Sequence, residues 1–475
     1  MRHRMFSKVL VANRGEIAVR VMRALSELGV ASVAVHSEPD ADALHVRRAD
    51  EAYLIGPGPA AQSYLDIDRL MEAVERSGAD AVHPGYGFLA ENATFARRLE
   101  AAGVVFIGPP ADAIDAMGSK TRARELMARA GVPIVPGTTA PVETQEAARE
   151  AAETIGYPIA VKAAGGGGGK GFRVALDPEE IADAFDGAAR EGEKFFADAT
   201  VYLERYLPDP RHVEVQVLAD RHGNVVHLGE RDCSVQRRHQ KLIEESPAPM
   251  VDQAMRDRIG TIATDAARAV GYHSAGTIEG LLQDGEYYFL EMNTRVQVEH
   301  CVTEQTTGID IVREQIRIAA GERLSVTQED VILRGHAIEC RINAEDASKN
   351  FAPGPGRIGA YREPAGPGVR VDSGVEAGSE VTPFYDPMVA KLIVWDVDRE
   401  HATRRMQRAL AEYEIEGLRT LLPFHRALLA TPEWARGETC RNLIADRKWL
   451  KALAFPKPPR PDREPAADAT APTGA

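Results

Sequence analysis

The chain has 475 residues, enough for about three domains at the usual domain size. With 44% hydrophobic and 27% charged residues it has the composition of a soluble globular protein. A formal net charge of −14 argues against a nucleic-acid partner, because binding a phosphate backbone needs a basic footprint. The cysteines, Cys233, Cys301, Cys340 and Cys440, lie far apart and read as reduced thiols, not as a disulfide framework or zinc site. No apolar run approaches the roughly 18 residues that read as a membrane helix, and Met1 to Phe6 lacks the apolar stretch of a signal peptide. The expectation is a cytoplasmic protein with no membrane contact.

In chain order, Lys8 to Ala12 is a short apolar run, followed by Ile17, Val21, Leu25 and Leu28 at helical spacing and then by the apolar Ala31 to His36. This predicts a strand-helix-strand unit and an open parallel sheet. Asn13-Arg14-Gly15 is not the dinucleotide fingerprint. The glycine-rich stretch His83 to Asn92, which includes Tyr86, follows an apolar run and so falls at the C-terminal end of a strand, where open α/β sheets hold ligands.

Gly118 to Arg124 leads into a helix that breaks at Gly131 to Gly137. Next, Ile159-Ala160-Val161-Lys162 runs into five glycines at 165 to 169 and Lys170. A strand ending in lysine before such a run offers free backbone N–H groups and a point charge to polyphosphate, with Gly166, Gly167 and Gly168 at its centre. No GK[ST] opens a helix there, so this is not a Walker A motif. The flanking hairpin pattern predicts a mobile lid over nucleotide.

Arg211 to Asp220 alternates as a half-buried strand with His212, Glu214 and Gln216 on its polar face. Glu230 to Lys241 is dense in donors and carries little core. Taken alone it reads as a solvated loop, but beside acidic ligands it reads as an anion-binding stretch, with Gln236 and Lys241 its leading members. The stretch Phe289 to His300, read as extended, would put Glu291, Asn293, Arg295, Gln297 and Glu299 on one face and Met292, Thr294, Val296 and Val298 on the other. The turn-like Gln283-Asp284-Gly285-Glu286 predicts a hairpin that sets Glu279 beside Glu291. Two carboxylates with an amide oxygen suit Mg²⁺ and nucleotide phosphates. Further on, Arg341 shares a strand face with Glu339 and Asn343, where it is either satisfied in place or reaches into the cleft. Arg399 to Tyr413 reads as an amphipathic helix. The proline-rich end from Pro456 reads as a disordered tail.

Taken together, Lys120, Val161-Lys162 with its glycines, Arg211 to Glu214, Arg231 to Lys241, Glu291 to His300 and Gly335 to Asp346 resemble biotin carboxylase, an ATP-grasp enzyme. The resemblance runs in order from about residue 6 to about 450. It implies a mixed α/β (α+β) architecture: an N-terminal open parallel-sheet domain (1–118), an ATP-grasp domain (119–334) with a glycine-rich lid at about 136–206, and a C-terminal mixed domain (335–450), with residues 451–475 a tail. It implies that Lys120, Lys162, Gly166, Gly167, Gly168, His212, Gln236, His239 and Lys241 serve ATP, with Glu204 and Leu207 near the adenine. Glu279, Glu291 and Asn293 would hold Mg²⁺ (or Mn²⁺). Arg295, Gln297 and Val298 would bind bicarbonate, Glu299 would be its base, Arg341 would sit by biotin, and Tyr86 would be a further substrate-binding residue. Arg295 and Lys241 join Glu299 and Arg341 as the expected catalytic set.

The departures are Cys301 where the family often has proline, Gly280 where an aromatic is usual, and a poor fit around Thr439 to Leu443. The sequence has no Met-Lys-Met attachment site, so biotin is expected on a separate carrier protein, with a carboxyltransferase and a homodimer as further expectations. The acyl acceptor, whether acetyl-CoA, propionyl-CoA or pyruvate, is left open. Two other functions share some of these features. Another ATP-grasp ligase would share the lid and metal face without needing Arg295 to Glu299 together with Arg341. A nucleotide-binding regulatory or scaffold subunit would have no need of intact acid-base residues.

Overall fold

Apolar strands that alternate with amphipathic helices fold the first hundred or so residues into a parallel sheet. β1 (Lys8–Val11), β2 (Ala31–Ser37), β3 (Glu51–Gly56), β4 (Ala81–His83) and β5 (Val105–Phe106) lie in the order β3-β2-β1-β4-β5, all parallel. The expected opening unit is present: helix Gly15–Glu27 turns Ile17, Val21 and Leu25 into the core. The sheet order reverses between β1 and β4, and the loops after those two strands meet there. Asn13 Nδ2 donates to the carbonyls of Pro84 and Tyr86, both at 2.7 Å. Gly85 at this crossing has φ +63°, and a Cβ on it would sit 2.9 Å from Asn13 Nδ2, so both backbone and space demand glycine.

The computed structural model describes residues 5–138, 140–163, 171–196, 198–238 and 240–453, with backbone alone at residues 120, 121, 195 and 196. Gly166, Gly167, Gly168, His239 and the chain beyond residue 453 therefore lie outside the described residues, as does the side chain of Lys120.

β6 (Ile159–Ala163), β7 (Phe172–Ala175) and β8 (Val201–Arg205) form an antiparallel sheet in the order β7-β6-β8. Helices Gln145–Ile155 and Ile181–Phe196 cover a small core around Ile159, Val161, Val201 and Leu203. The chain from Pro133 to Thr138 ties this sheet to its neighbour: Phe289 N donates to Pro133 O at 2.7 Å, and Thr138 N to Leu203 O at 2.8 Å.

The largest sheet has eight strands, all antiparallel. Its order is β13-β12-β9-β10-β11-β14, followed by the strands Met388–Asp396 and Val369–Ser373. Here β9 is Arg211–Ala219, β10 Val225–Arg237, β11 Gln240–Ser246, β12 Ser274–Gln283, β13 Glu286–Asn293 and β14 His336–Asn343. Strands from both sides of residue 334 thus share one ladder. Helix Arg399–Glu412 packs on it through Ala402, Met406, Ala409 and Leu410, as the amphipathic pattern predicts, and Asp398 caps the helix.

Two local expectations change. The donor-rich stretch from Glu230 to Lys241 is not a solvated loop but most of β10 and the start of β11, and Glu230, Arg231, Asp232 and Ser234 are buried. Its charges are tolerated because the neighbouring strands supply partners, such as Arg211 for Asp232 at 2.8 Å. The stretch from Phe289 to His300 is extended only as far as Asn293 and then enters helix His300–Thr307, with Glu299 at the helix N-cap. After the Thr277–Asn293 pair the backbone leaves the ladder, and Thr294 N donates to the Glu91 carboxylate at 3.1 Å instead.

Candidate functional site

The predicted hairpin forms: β12 pairs with β13 so that Glu279 faces Glu291 and Thr277 faces Asn293. A bulge at Leu290 shifts the register by one residue, so Gly280 faces Phe289, and the Tyr287 ring covers Gly280. A Cβ on Gly280 would lie 2.2 Å from that ring, which accounts for glycine at this position.

Lys241, on β11, is the hub. Its Nζ lies 2.6 Å from Glu214, 2.9 Å from Glu279, 2.6 Å from Glu299 and 3.3 Å from Gln297 Oε1. Burial works against its charge, but the three carboxylates prevail and hold its pKa well above the ordinary lysine value. Glu279 takes hydrogen bonds on one oxygen from Asn293 at 2.7 Å and Gln297 at 2.5 Å, and pairs on the other with His212 Nε2 at 2.7 Å. Burial would raise its pKa, but Lys241 and His212 hold it well below the usual carboxylate range. Burial would likewise lower the His212 pKa, yet Glu279 raises it above the ordinary imidazole value.

Glu299 is 1% exposed. One oxygen meets Lys241, and the other accepts from Arg341 Nη2 at 2.9 Å. Burial alone would raise its pKa, whereas the charges of Lys241, Arg341 and Arg231 hold the carboxyl well below its ordinary range. Arg341 reaches out of its strand face, and its Nε donates to Glu244 at 2.6 Å. Burial pushes Glu244 up to about 7 against the pull of Arg341. Glu339 faces Glu244 across the ladder with both oxygens buried and, among the described residues, unbonded.

Arg295 donates through Nε to Glu91 at 2.9 Å and through Nη2 to Asn293 at 2.8 Å. The carbonyl of Val298 accepts from Lys391 at 2.7 Å. Seven predicted residues, His212, Lys241, Glu279, Asn293, Gln297, Glu299 and Arg341, therefore form one cluster of hydrogen bonds and ion pairs that Arg295 joins through Asn293, and Glu291 stands across the ladder from Glu279. Of the others, Gln236 lies directly opposite Lys241 in the β10–β11 ladder, and the rest of those described sit outside the cluster. Lys162 and Glu204 pair with each other on the three-stranded sheet, where Glu204 also holds Arg124 at 2.6 Å. Half-buried Leu207 follows β8, Gln236 donates to the Cys233 carbonyl at 2.7 Å, and the Tyr86 hydroxyl bonds to Glu16.

Sequence reasoning missed Glu214, Arg231, Glu244, Glu91, Lys391 and Glu16. Only Glu214 gave a signal, its strand face shared with His212. Glu214 binds Lys241 with one oxygen and the fully buried Arg231 with the other, the latter at 2.5 Å. His212, Glu214 and Glu279 bring ligand atoms within 4.8 Å of one another, and carboxylate and amide oxygens of the kind that Glu279, Glu291 and Asn293 carry are hard donors suited to a small divalent cation. Among the described residues no helix is long and apolar enough to cross a membrane.

Three family models cover almost all of the described span. The biotin carboxylase N-terminal domain matches residues 5–114, the carbamoyl-phosphate synthase L chain ATP-binding domain 119–327, and the biotin carboxylase C-terminal domain 339–446. A biotin carboxylase from Nostoc sp. is 51% identical over 442 residues, covering 93% of this chain and 99% of that protein. A pyruvate carboxylase subunit from Methanothermobacter thermautotrophicus is 54% identical over 440 residues, 93% of this chain and 90% of the relative. Among solved structures, the biotin carboxylase domain dimer of Hydrogenobacter thermophilus 2-oxoglutarate carboxylase, in complex with MgADP, ADP and bicarbonate, superposes with a TM-score of 0.88. It is 48% identical and covers 96% of this chain and all of that one. With its parallel-sheet unit, its large antiparallel sheet and its C-terminal strands all matched, the chain belongs to the biotin carboxylase family of ATP-dependent ligases.

Proposed function

We propose that this biotin carboxylase uses ATP and bicarbonate to carboxylate biotin on a separate carrier protein, as the carboxylating subunit of an acetyl-CoA or other acyl-CoA carboxylase. The observation that carries the chemistry is Glu299 set between Lys241 and Arg341, one cation on each oxygen. The strong similarity to a pyruvate carboxylase subunit supports a second assignment, service to a two-subunit pyruvate carboxylase. A carboxyltransferase partner belongs to the same proposal, and so does homodimerisation, which the matched 2-oxoglutarate carboxylase domain supports because it is described as a dimer.

In this reading Arg295, Gln297 and Val298 orient bicarbonate and Glu299 takes its proton. A bicarbonate oxygen bonds to the γ-phosphorus of ATP as the bond to the β-phosphate oxygen breaks, which gives ADP and carboxyphosphate. Carboxyphosphate splits into CO₂ and phosphate, the phosphate takes the biotin N1 proton, and N1 bonds to CO₂. Arg341 offsets charge on the biotin ureido oxygen. Lys241, with Lys120, Lys162, His212, Gln236 and His239, serves the nucleotide, and Glu279, Glu291 and Asn293 hold Mg²⁺. When bound, Mg²⁺ draws charge off the phosphoryl oxygens. Lys241 and His212 neutralise Glu279 in the free protein, and both would be released from it if Glu279 turned to Mg²⁺.

The test is phosphate release from MgATP by the purified chain, with bicarbonate and free biotin each supplied or withheld. Release that requires bicarbonate and rises with biotin is expected. Release indifferent to both would replace this proposal with another ATP-grasp ligase, and none in any condition would favour a non-catalytic nucleotide-binding protein. Pairing with purified carboxyltransferases and acetyl-CoA, propionyl-CoA or pyruvate then decides the acceptor.

A further inference from the structure

The segment that carries Arg295, Gln297 and Glu299 has left its ladder at Asn293, so its backbone must be held from outside. One end is held by Glu91, which accepts from Thr294 N at 3.1 Å and from Arg295 Nε at 2.9 Å. The other is held by Lys391, whose Nζ donates to the Val298 carbonyl at 2.7 Å. Lys391 is 0% exposed, so its ammonium gives up all its water for these contacts. Besides Val298 it meets Cys301 Sγ at 3.2 Å, Glu16 at 3.3 Å and, more distantly, Asp372 at 3.9 Å. The second oxygen of Glu16 accepts from the Tyr86 hydroxyl. Tyr86 and Glu91 belong to the same loop after β4, so that loop grips both ends of one short segment, directly through Glu91 and indirectly through Glu16 and Lys391.

We propose that Lys391 and Glu16 are positioning residues for the anion-binding segment, linking the loop that carries Tyr86 to the Val298 carbonyl. This rests on the reading that Arg295 and Val298 hold bicarbonate and that biotin seats against Tyr86. A lysine needed only to neutralise Glu16 and Asp372 has no reason to engage Val298. Asp372 already has Arg370, at 2.7 Å. The link gives bicarbonate and biotin a shared element, so occupancy at Tyr86 alters the hold on bicarbonate and the reverse follows by reciprocity.

The test is steady-state kinetics of the full chain with MgATP, bicarbonate and free biotin. Glu16→Gln/Lys391→Met removes one negative and one positive charge together, leaving the net charge of the buried cluster unchanged. The expected result is a bicarbonate KM raised tenfold or more with the ATP KM within about twofold, a split that loss of folded protein cannot produce. A fall in kcat with both KM values unmoved would overturn the proposal. Should the double variant not fold, Tyr86→Phe and Glu16→Gln serve singly and together. Their effects on bicarbonate KM are expected to be non-additive, and simple additivity would overturn the link. Arg295→Ala separates the levels. If it leaves bicarbonate KM unchanged, the reading of the site falls and the inference with it, whereas a raised KM there beside an unmoved Glu16→Gln/Lys391→Met falsifies the inference alone.

Discussion

Glu299 meets two cations before any substrate arrives, and this bears on its use as a base. A general base works best with a pKa near the operating pH, yet Lys241 and Arg341 hold this carboxyl far below that. In the proposed mechanism its basicity rises when Lys241 turns to phosphate and Arg341 to biotin. Glu299→Gln is expected to lower bicarbonate-dependent phosphate release by about 10²- to 10⁴-fold along with biotin carboxylation. Arg341→Ala is expected to lose carboxylation while keeping part of the ATP turnover, and equal losses in the two variants would defeat this division of labour. The His212–Glu279 pair makes a second prediction. Glu279 raises the His212 pKa above its ordinary value and His212 helps depress that of Glu279, so the pair's stabilisation is greatest between the ordinary carboxylate and imidazole ranges, falls as pH drops below the former and is lost as pH rises through the raised His212 pKa. If Glu279 holds Mg²⁺ as proposed, protonated His212 competes with the cation for it. Calorimetric Mg²⁺ affinity should therefore increase from about pH 6 to about pH 8, and His212→Gln should flatten that dependence. That Glu279 and Glu291 meet was legible in the sequence, because a short turn joins the two runs; strict counting from the Gln283–Glu286 pair would have set Glu279 against Leu290, and the bulge there, which no local period reports, moves the pairing to Glu291. Lys391 and Glu16 were not legible, since no local period reports a contact between residues so far apart in the chain.

At the scale of elements, the hairpin of β12 and β13 owes its shape to one glycine and one aromatic ring. Gly280→Ala would drive a methyl into Tyr287, which is completely buried, and is expected to cost about 1–3 kcal/mol in urea unfolding. The same change in a Tyr287→Ala background should cost clearly less, because the clash is gone; equal costs would refute the packing explanation. Periodicity read the first strand-helix-strand unit and the helix at 399–412 correctly, since each buries a regular stripe. It failed on two stretches for opposite reasons. The run after Asn293 keeps the alternation of a strand but lacks a partner, and the run from Glu230 to Lys241 lacks an apolar stripe yet is paired on both sides. Alternation reports which faces a segment could present; only the neighbours decide whether it is a strand.

Across the whole molecule, a chain of charges joins the parallel-sheet unit to the large sheet. Arg20 holds Glu304 at 2.9 Å and Asp310 at 2.6 Å, and Arg370 holds Glu304 at 2.7 Å and Asp372 at 2.7 Å. Burial would raise the pKa of Glu304 and Asp372, but the arginines depress both, so their contribution is present above the ordinary carboxylate range and is lost as pH falls below it. Arg20→Ala leaves a buried carboxylate short of a partner and is expected to cost about 3–5 kcal/mol and to move acid unfolding to higher pH, both measurable by fluorescence.

The shared eight-stranded ladder also bears on inheritance. Strands β11 and β14, separated by nearly ninety residues of chain, pair directly, with Ile243 opposite Cys340 and Ser246 opposite Ala337. A crossover that exchanged only the last third of the gene would have to re-form that seam with a foreign strand, and a break would expose two raw sheet edges prone to self-association. Recombination can add or remove neighbours outside this span far more readily than it can divide it. A body closed by such a seam is inherited whole or not at all.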